Sequence, residues 1–302
     1  EYTFIQAGGH GNPIYFNGHV IDSWVDPGFW FYPITYLWRT TPVTLIGLFL
    51  AGLTLVWPGA TASWKTDPRN QRRTLGYLFL FAVGFLLFMT IGSKRFDRYL
   101  IPIYAPLDLA AAIGWMTMLR WLLGWASPFV ARWAPGITVA ALVCVQAVPL
   151  LPIWPHVMSY YNPLLGGGAK APDVMMIGWG EGLDEAARYL NTKPDAAEAH
   201  VAAWYAIGSF SYFFDGHTQA IEFEKMADIS HWLDLDYVVT YIHLWQRRWP
   251  DARLLDYLAN YAPEQRIMIN NMDYAQIYDL RTIPPPPYLA PGRSQRVVDW
   301  DS

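Results

Sequence analysis

Four long apolar stretches constrain this chain more than any other feature of its sequence. They cover about 29–57, 74–92, 101–125 and 136–154. A helix needs about 20 apolar residues to cross a bilayer, whereas the buried helix of a soluble protein is shorter and shows a polar face. We therefore predict a polytopic α-helical membrane region of about four transmembrane helices within residues 29–159.

The first of these stretches is longer than one span requires. It is interrupted by Arg39-Thr40-Thr41-Pro42. We expect Phe29 to Leu37 to form an interfacial or kinked lead-in, with the span itself starting at about Pro42.

The charged residues between the stretches predict the orientation. Cations concentrate in the loop between the first two spans and again between the last two: Lys65, Arg69, Arg72, Arg73, Arg120 and Arg132. The positive-inside rule makes that side cytoplasmic. Residues 1–28 are then an exterior loop segment, and the chain after Trp154 lies outside the cytoplasm.

The second half of the chain has a different composition. Residues 1–159 contain 10 Lys and Arg against 6 Asp and Glu, and residues 160–302 contain 11 against 19. We predict an acidic, extracytoplasmic soluble α/β domain over 160–302. The chain lacks the basic surface of a nucleic-acid-binding protein. Its single cysteine, Cys144, excludes an internal disulfide framework and a cysteine-based zinc site.

Strand and helix patterns alternate in this domain, which implies a partly parallel sheet. Strands are expected at Val174–Ile177, His200–Ala203 and Asp236–Ile242, helices at Leu183–Leu190 and Ala252–Tyr261, and a hairpin at Arg266–Asn270 and Tyr274–Leu280. Gly166 to Gly168 is expected to be a flexible linker, and Pro284 to Pro287 a polyproline-like tail.

The segment Gly178-Trp179-Gly180-Glu181-Gly182 lies just before the first of these helices. It lacks the G-x-G-x-x-G spacing of a nucleotide site, and Glu181 would stand where a phosphate needs positive potential. A tight turn leading into the helix is the better interpretation.

The segment from Ser93 to Pro102 carries the strongest signal for chemistry. Lys94, Arg95 and Arg98 crowd the exterior end of a span, and Tyr99 adds a hydroxyl. Arg binds phosphate oxygens through two parallel hydrogen bonds and Lys acts as a point charge. We predict a lipid-phosphate site at these four residues; the alternative is a solvated loop in which Asp97 offsets one charge.

Other polar residues near the membrane are weaker candidates. His19 and Asp26 offer acid–base groups in the exterior segment, and structural and functional roles are both open for them. Arg39 lies in an apolar run, where a cation is costly unless it is paired or faces a polar cavity. Asp108, inside the third span, is a further candidate that can equally serve as a cap or ion-pair partner. The histidines show no metal-binding spacing.

Several of these segments resemble one family. The run 93–102 is similar to the Lys/Arg-x-x-Tyr-Leu-x-Pro segment of the protein O-mannosyltransferase and aminoarabinose lipid A transferase group, which are GT-C fold glycosyltransferases. Residues 16–42 resemble the outer loop and span of bacterial relatives. Asn162 to Gly167 and Gly178 to Leu183 resemble the junction to their C-terminal domain.

The resemblance implies transfer of a sugar from a polyprenyl-phosphate donor to an unknown acceptor on the outer face of a bacterial plasma membrane. It implies that Lys94, Arg95, Arg98 and Tyr99 hold the donor phosphate, and it supports His19 only weakly. The catalytic acid is expected upstream of Glu1, which would leave this polypeptide inactive alone. No cofactor is assigned, and a requirement for a divalent metal stays open.

Two other classes of protein remain as alternatives. A polytopic transporter would show internal repeats and broken helices that meet at mid-membrane, and no such repeat is visible here. A non-catalytic membrane assembly subunit would use the soluble domain to bind a partner.

Overall fold

The computed structural model describes residues 13–22, 25–56, 68–92, 95–221 and 228–289. The chain divides into two compact units, Glu1–Met175 and Met176–Ser302.

The first unit is built from apolar helices. Its helices are α1 (Phe31–Arg39), α2 (Pro42–Val56), α3 (Pro68–Ile91), α4 (Ile101–Leu123), α5 (Pro128–Ala147) and the short α6 (Gly167–Lys170). Within the described residues, three helical segments are long and apolar enough to cross a membrane: Arg69–Ile91, Asp97–Leu123 and Pro128–Ile153. Up to four spans result if α1 and α2 count as one. The chain thus has the apolar helices that its sequence predicts.

A sharp bend separates α1 from α2. The helix axis turns by 117° between them, so the stretch 29–57 is not one continuous helix. Helix α1 ends at Arg39, and Thr40, two residues before Pro42, is extended with ψ at 140°. The kinked lead-in expected from the sequence is present, and α2 begins at Pro42.

Helices α2 and α4 pack closely because both carry glycine at the contact. A Cβ built on Gly114 would lie 2.1 Å from the Gly47 carbonyl oxygen. In contrast, only 11% of the apolar window of α3 and 6% of that of α5 are buried. Large apolar side chains therefore cover the surface of this unit, as expected for helices surrounded by lipid.

A hairpin precedes these helices. Strand β1 (Ile14–Phe16) pairs antiparallel with β2 (His19–Ile21). Asn17 and Gly18 connect them with φ of 51° and 80°, which is the two-residue type I′ turn. The Phe16 ring packs on Phe31, with centroids 4.9 Å apart, and so seats the hairpin on α1.

The segment after α5 differs from the sequence expectation. The strand predicted at Val174–Ile177 is wrong: within it only Met175 forms a bridge, to Phe16 of β1. The three glycines expected to form a linker lead instead into α6, since Gly166 adopts φ of 108° before the helix starts at Gly167.

The second unit is a five-stranded mixed sheet with helices. Strands β3 (His200–Ala203), β4 (His217–Ala220), β5 (Tyr237–Tyr241), β6 (Gln265–Ile269) and β7 (Met272–Asp279) lie in the order β4-β3-β5-β7-β6. Strand β3 is parallel to β4 and β5, and β7 is antiparallel to β5 and β6. The helices are α7 (Leu183–Leu190), α8 (Ile229–Leu233), α9 (Ile242–Arg247) and α10 (Ala252–Leu258). The expected partly parallel sheet is present.

Candidate functional site

Charged residues from three separate segments of the first unit meet at one end of its apolar helices. These are the loop that precedes α1, the C-terminal end of α1, and the segment between α3 and α4. Two ion pairs connect them: Arg95 with Asp26, and Arg39 with Asp97. Because these partners are 69 and 58 positions apart in sequence, the ion pairs tie the three segments into one arginine cluster, formed by Arg39, Arg95 and Arg98 with their two aspartates.

Arg95 lies in the interior of this cluster. Its side chain is 1% exposed, and Nη2 lies 2.8 Å from Asp26 Oδ1. The same guanidinium donates to the backbone carbonyls of Thr90, Gly92 and Gly28. Two of these carbonyls are at the C-terminal end of α3, where helical carbonyls lack intrahelical donors. Arg95 therefore caps α3 and anchors the Asp26–Gly28 loop. A phosphate at Arg95 would have to take the place of Asp26.

Arg39 is also held by the protein. Its Nη2 donates to Asp97 Oδ2 at 2.6 Å, with the two side chains 11% and 16% exposed. Nη1 donates to the Met158 carbonyl, and the guanidinium stacks 4.4 Å from the Tyr161 ring centroid. Pairing with an acid was one of the two expectations for Arg39, and this pairing is found.

Arg98 differs from the other two arginines because it is exposed. Its guanidinium carbon lies 4.0 Å from the centre of the Phe96 ring and 5.6 Å from that of Tyr99. Aromatic rings that stack on a guanidinium help to fix its plane. The other predicted phosphate ligand of this run, Lys94, lies outside the described residues.

The structure also describes His19 and Asp108. His19 is an exposed residue of β2, and none of the hydrogen bonds or ion pairs of the described residues connects it to the arginines. Asp108 is exposed on α4 and accepts a hydrogen bond of 3.2 Å from Thr44 Oγ1 of α2.

In the glycine-rich turn of the second unit, backbone N–H groups donate hydrogen bonds to side chains of the same unit. The Glu181 carboxylate accepts from the Trp179 N–H at 2.6 Å, and Tyr241 Oη accepts from the Gly180 N–H at 2.9 Å. Gly178, Gly180 and Gly182 all have positive φ. Two of the N–H groups that a phosphate would use are therefore already bound, so this is a tight turn that leads into α7.

An aromatic cluster that the sequence does not reveal surrounds His243. The rings of Trp204 and Tyr241 lie 5.3 and 4.9 Å from its imidazole, and burial lowers the pKa of His243 well below its ordinary value. Burial likewise raises the pKa of Tyr241. Both side chains are therefore neutral at pH 7 and belong to the core of this unit.

Among the described residues, no group of three or more His, Cys, Asp and Glu side chains is arranged to hold a metal ion. Comparison of the chain with family models, with curated proteins and with solved structures finds no match.

Proposed function

We propose that this chain is the C-terminal part of an integral membrane glycosyltransferase, which moves a sugar from a polyprenyl-phosphate donor to an acceptor on the outer face of the membrane. One observation carries the proposal: Arg39, Arg95 and Arg98 gather at one end of the apolar helices. Arginines that are merely solvated at the end of a span need not be brought together in this way. The anionic headgroup of a lipid lies at this depth in a bilayer, and a group of arginines could bind it.

The geometry supports different roles for the three arginines of the cluster. Arg95 and Arg39 are held by carboxylates and carbonyls, so they fix the segments that surround the site. Arg98 is exposed and stacked on aromatic rings, so it is the cation best placed to meet a phosphate, with the neighbouring Tyr99 hydroxyl as a second donor.

A cation in this position would assist the chemistry. Cleavage of the bond between the sugar and the phosphate leaves negative charge on the lipid phosphate. A guanidinium that is already oriented stabilises that charge without reorganisation, and the low dielectric of a site beside lipid strengthens the effect. In this proposal the arginine cluster binds the phosphate of the sugar donor.

The test measures sugar transfer in membranes that contain the protein expressed from its own gene. Donors are a panel of radiolabelled polyprenyl-phosphate hexoses and pentoses. A hydrogen bond to a charged group is worth about 1.5–3 kcal/mol, so Arg98→Ala is expected to lower transfer by roughly 10- to 100-fold. Arg98→Lys is expected to recover only part of the loss.

Arg132→Ala is the matched control, because Arg132 is an exposed arginine near the N-terminus of α5 whose guanidinium lies over the Trp133 ring. It should transfer sugar at the wild-type rate. Equal turnover in Arg98→Ala and wild type would overturn the phosphate role. Membranes that use no donor of the panel, with a partner protein retained on purification, would favour the assembly-subunit alternative.

A further inference from the structure

The ion pair of Asp26 and Arg95 has one buried and one exposed partner. The Arg95 side chain is 1% exposed, whereas that of Asp26 is 60% exposed. The carboxylate belongs to a surface loop, in which it also accepts from the Gly28 N–H at 2.8 Å. Moving this carboxylate fully into water changes its hydration little, but a buried guanidinium without an anion is costly. Asp26 can therefore leave the pair if another anion takes its place.

The contacts of Arg95 fall into two sets. Its guanidinium donates to the Thr90 and Gly92 carbonyls at the end of α3. It also donates to the Gly28 carbonyl and to the Asp26 carboxylate, which both belong to the loop. If the loop contacts are released, the contacts with α3 still hold the guanidinium in place, and both of its terminal nitrogens can face a new anion.

The carboxylate does not use the full binding capacity of this guanidinium. Both Asp26 oxygens lie on one nitrogen, Nη2 of Arg95, at 2.8 and 2.9 Å, while Nη1 donates to the Gly28 carbonyl. Arginine binds an oxyanion most strongly through two parallel hydrogen bonds from two nitrogens. A phosphate in place of the loop groups can form this fork and so gain a charge-assisted hydrogen bond that Asp26 does not make.

A buried hydroxyl beside Arg95 lacks a hydrogen bond. Tyr32 is 0% exposed, and its Oη has no hydrogen-bond partner within the part of the chain that the structure describes. The Arg95 guanidinium carbon lies 5.9 Å from the centre of the Tyr32 ring, and the Tyr32 hydroxyl lies within electrostatic range of Arg95 and Tyr99. Buried polar groups are nearly always hydrogen-bonded, so this donor indicates an acceptor that Asp26 does not provide.

We propose that Asp26 occupies the position of the donor phosphate on Arg95, and that the phosphate displaces it and accepts a hydrogen bond from Tyr32. This inference rests on the proposed function and extends it, because it makes Asp26 a built-in competitor of the donor and Tyr32 a further phosphate ligand. Since either a carboxylate or a phosphate is always present, the buried guanidinium is never left without an anion.

The test measures equilibrium binding of a radiolabelled polyprenyl phosphate to the purified full chain in phosphatidylcholine nanodiscs. The parent polyprenol, which lacks the phosphate, corrects for insertion into the lipid. Tyr32→Phe removes one hydrogen bond to a charged group, so its Kd is expected to rise by roughly 10-fold or more. Asp26→Asn keeps the shape of the side chain but removes the competing charge, so its Kd is expected to fall by roughly 3- to 10-fold.

Two matched controls accompany these variants. Tyr36→Phe alters a second buried tyrosine of α1, whose hydroxyl bonds to Thr40. Asp173→Asn alters an acid with a 65% exposed side chain. Both should bind polyprenyl phosphate as the wild type does. Thermal midpoints without added phosphate lipid separate the two tyrosines further: Tyr36→Phe should lower the midpoint because it loses a hydrogen bond, and Tyr32→Phe should not.

The outcomes separate this inference from the proposed function. A wild-type Kd in both Tyr32→Phe and Asp26→Asn would overturn the inference alone, and so would weaker binding in Asp26→Asn, because Asp26 would then support the site. Absence of binding in every protein, wild type included, would overturn the proposed function as well. Phosphatidic acid that competes as strongly as unlabelled polyprenyl phosphate would overturn the donor as the ligand of this position.

Discussion

At the scale of single residues, Arg95 and His243 show two ways in which this protein buries an ionisable side chain. Arg95 is buried against a carboxylate and three carbonyls, since removing a charge from water costs several kcal/mol unless other groups replace the water. His243, which is 3% exposed, is buried in its uncharged form instead. The two strategies respond differently to pH.

His243 predicts an acid-sensitive second unit. Its folded-state pKa lies well below 6.5 because burial disfavours the imidazolium, so the unfolded state binds a proton that the folded state refuses. Stability is therefore fully present above about pH 6.5 and falls as the pH drops below it, by up to about 1.4 kcal/mol per pH unit. Urea unfolding of the full chain, followed by tryptophan fluorescence between pH 5 and pH 8, measures this slope.

His243→Phe should flatten the slope between pH 5 and 6.5. His200→Phe is the comparison, because His200 is an exposed residue of β3 and its replacement should leave the slope intact. An unchanged slope in His243→Phe would assign the acid sensitivity to other groups.

At the scale of elements, the contact between α2 and α4 depends on the absence of two side chains. Beyond the short distance between Gly114 and Gly47, a Cβ on Gly47 would lie 2.7 Å from the Ala111 carbonyl oxygen. Backbones that approach this closely gain packing contacts, which are the main attraction between helices in lipid.

Gly114→Ala is expected to destabilise the first unit by about 1–3 kcal/mol, because the added methyl group must push the two backbones apart. Gly84→Ala is the matched control: Gly84 lies in α3, and a Cβ there meets nothing within 4 Å. That variant should gain up to about 1 kcal/mol from helix propensity. Thermal midpoints in detergent distinguish the two, and equal midpoints would show that the α2–α4 contact tolerates a methyl group.

The sequence predicted best those helices and strands whose own residues, and not distant contacts, determine where they begin and end. Helix Leu183–Leu190 and strand His200–Ala203 have the bounds that the sequence predicts, because glycine precedes the helix and the strand is a short, mostly apolar run. The hairpin was predicted with a three-residue turn at 271–273, whereas the structure has a two-residue turn at Asn270 and Asn271. Both adopt positive φ, as a type I′ turn requires. The same rule, applied to Asn17-Gly18, could have predicted the hairpin of β1 and β2.

The contacts of the candidate site could not be predicted in this way. The charges of Asp26, Arg39 and Arg95 are visible in the sequence, but nothing local specifies which acid pairs with which base. Those pairings follow from the way α1, α3 and α4 meet. Strand β4 (His217–Ala220) was also missed, since its sequence lacks the apolar alternation that marks a strand and its place is set by pairing with β3.

At the scale of the whole molecule, composition and structure divide the chain in a similar way. The apolar helices belong to the unit that ends at Met175, and the mixed sheet to the unit that begins at Met176. The orientation of the helices in a membrane stays a prediction from the positive-inside rule.

Labelling with a membrane-impermeant maleimide tests that orientation in a Cys144→Ala background. Ile207→Cys, at a position that is 94% exposed in the second unit, should react in intact cells stripped of any outer barrier. Ser127→Cys, in the exposed turn between α4 and α5, should react only after the membrane is permeabilised. The opposite pattern would place the arginine cluster on the cytoplasmic side and remove the basis for an outward-facing transferase.

Helix α5 has a consequence for how this protein can evolve. All of its residues are described and none is buried, so its own chain imposes few shape requirements on them. Natural variants of this helix should exchange Val, Leu, Ile and Ala freely as long as its length and hydrophobicity are kept. Gln146 should be the exception, because it is the residue through which α5 touches Thr41.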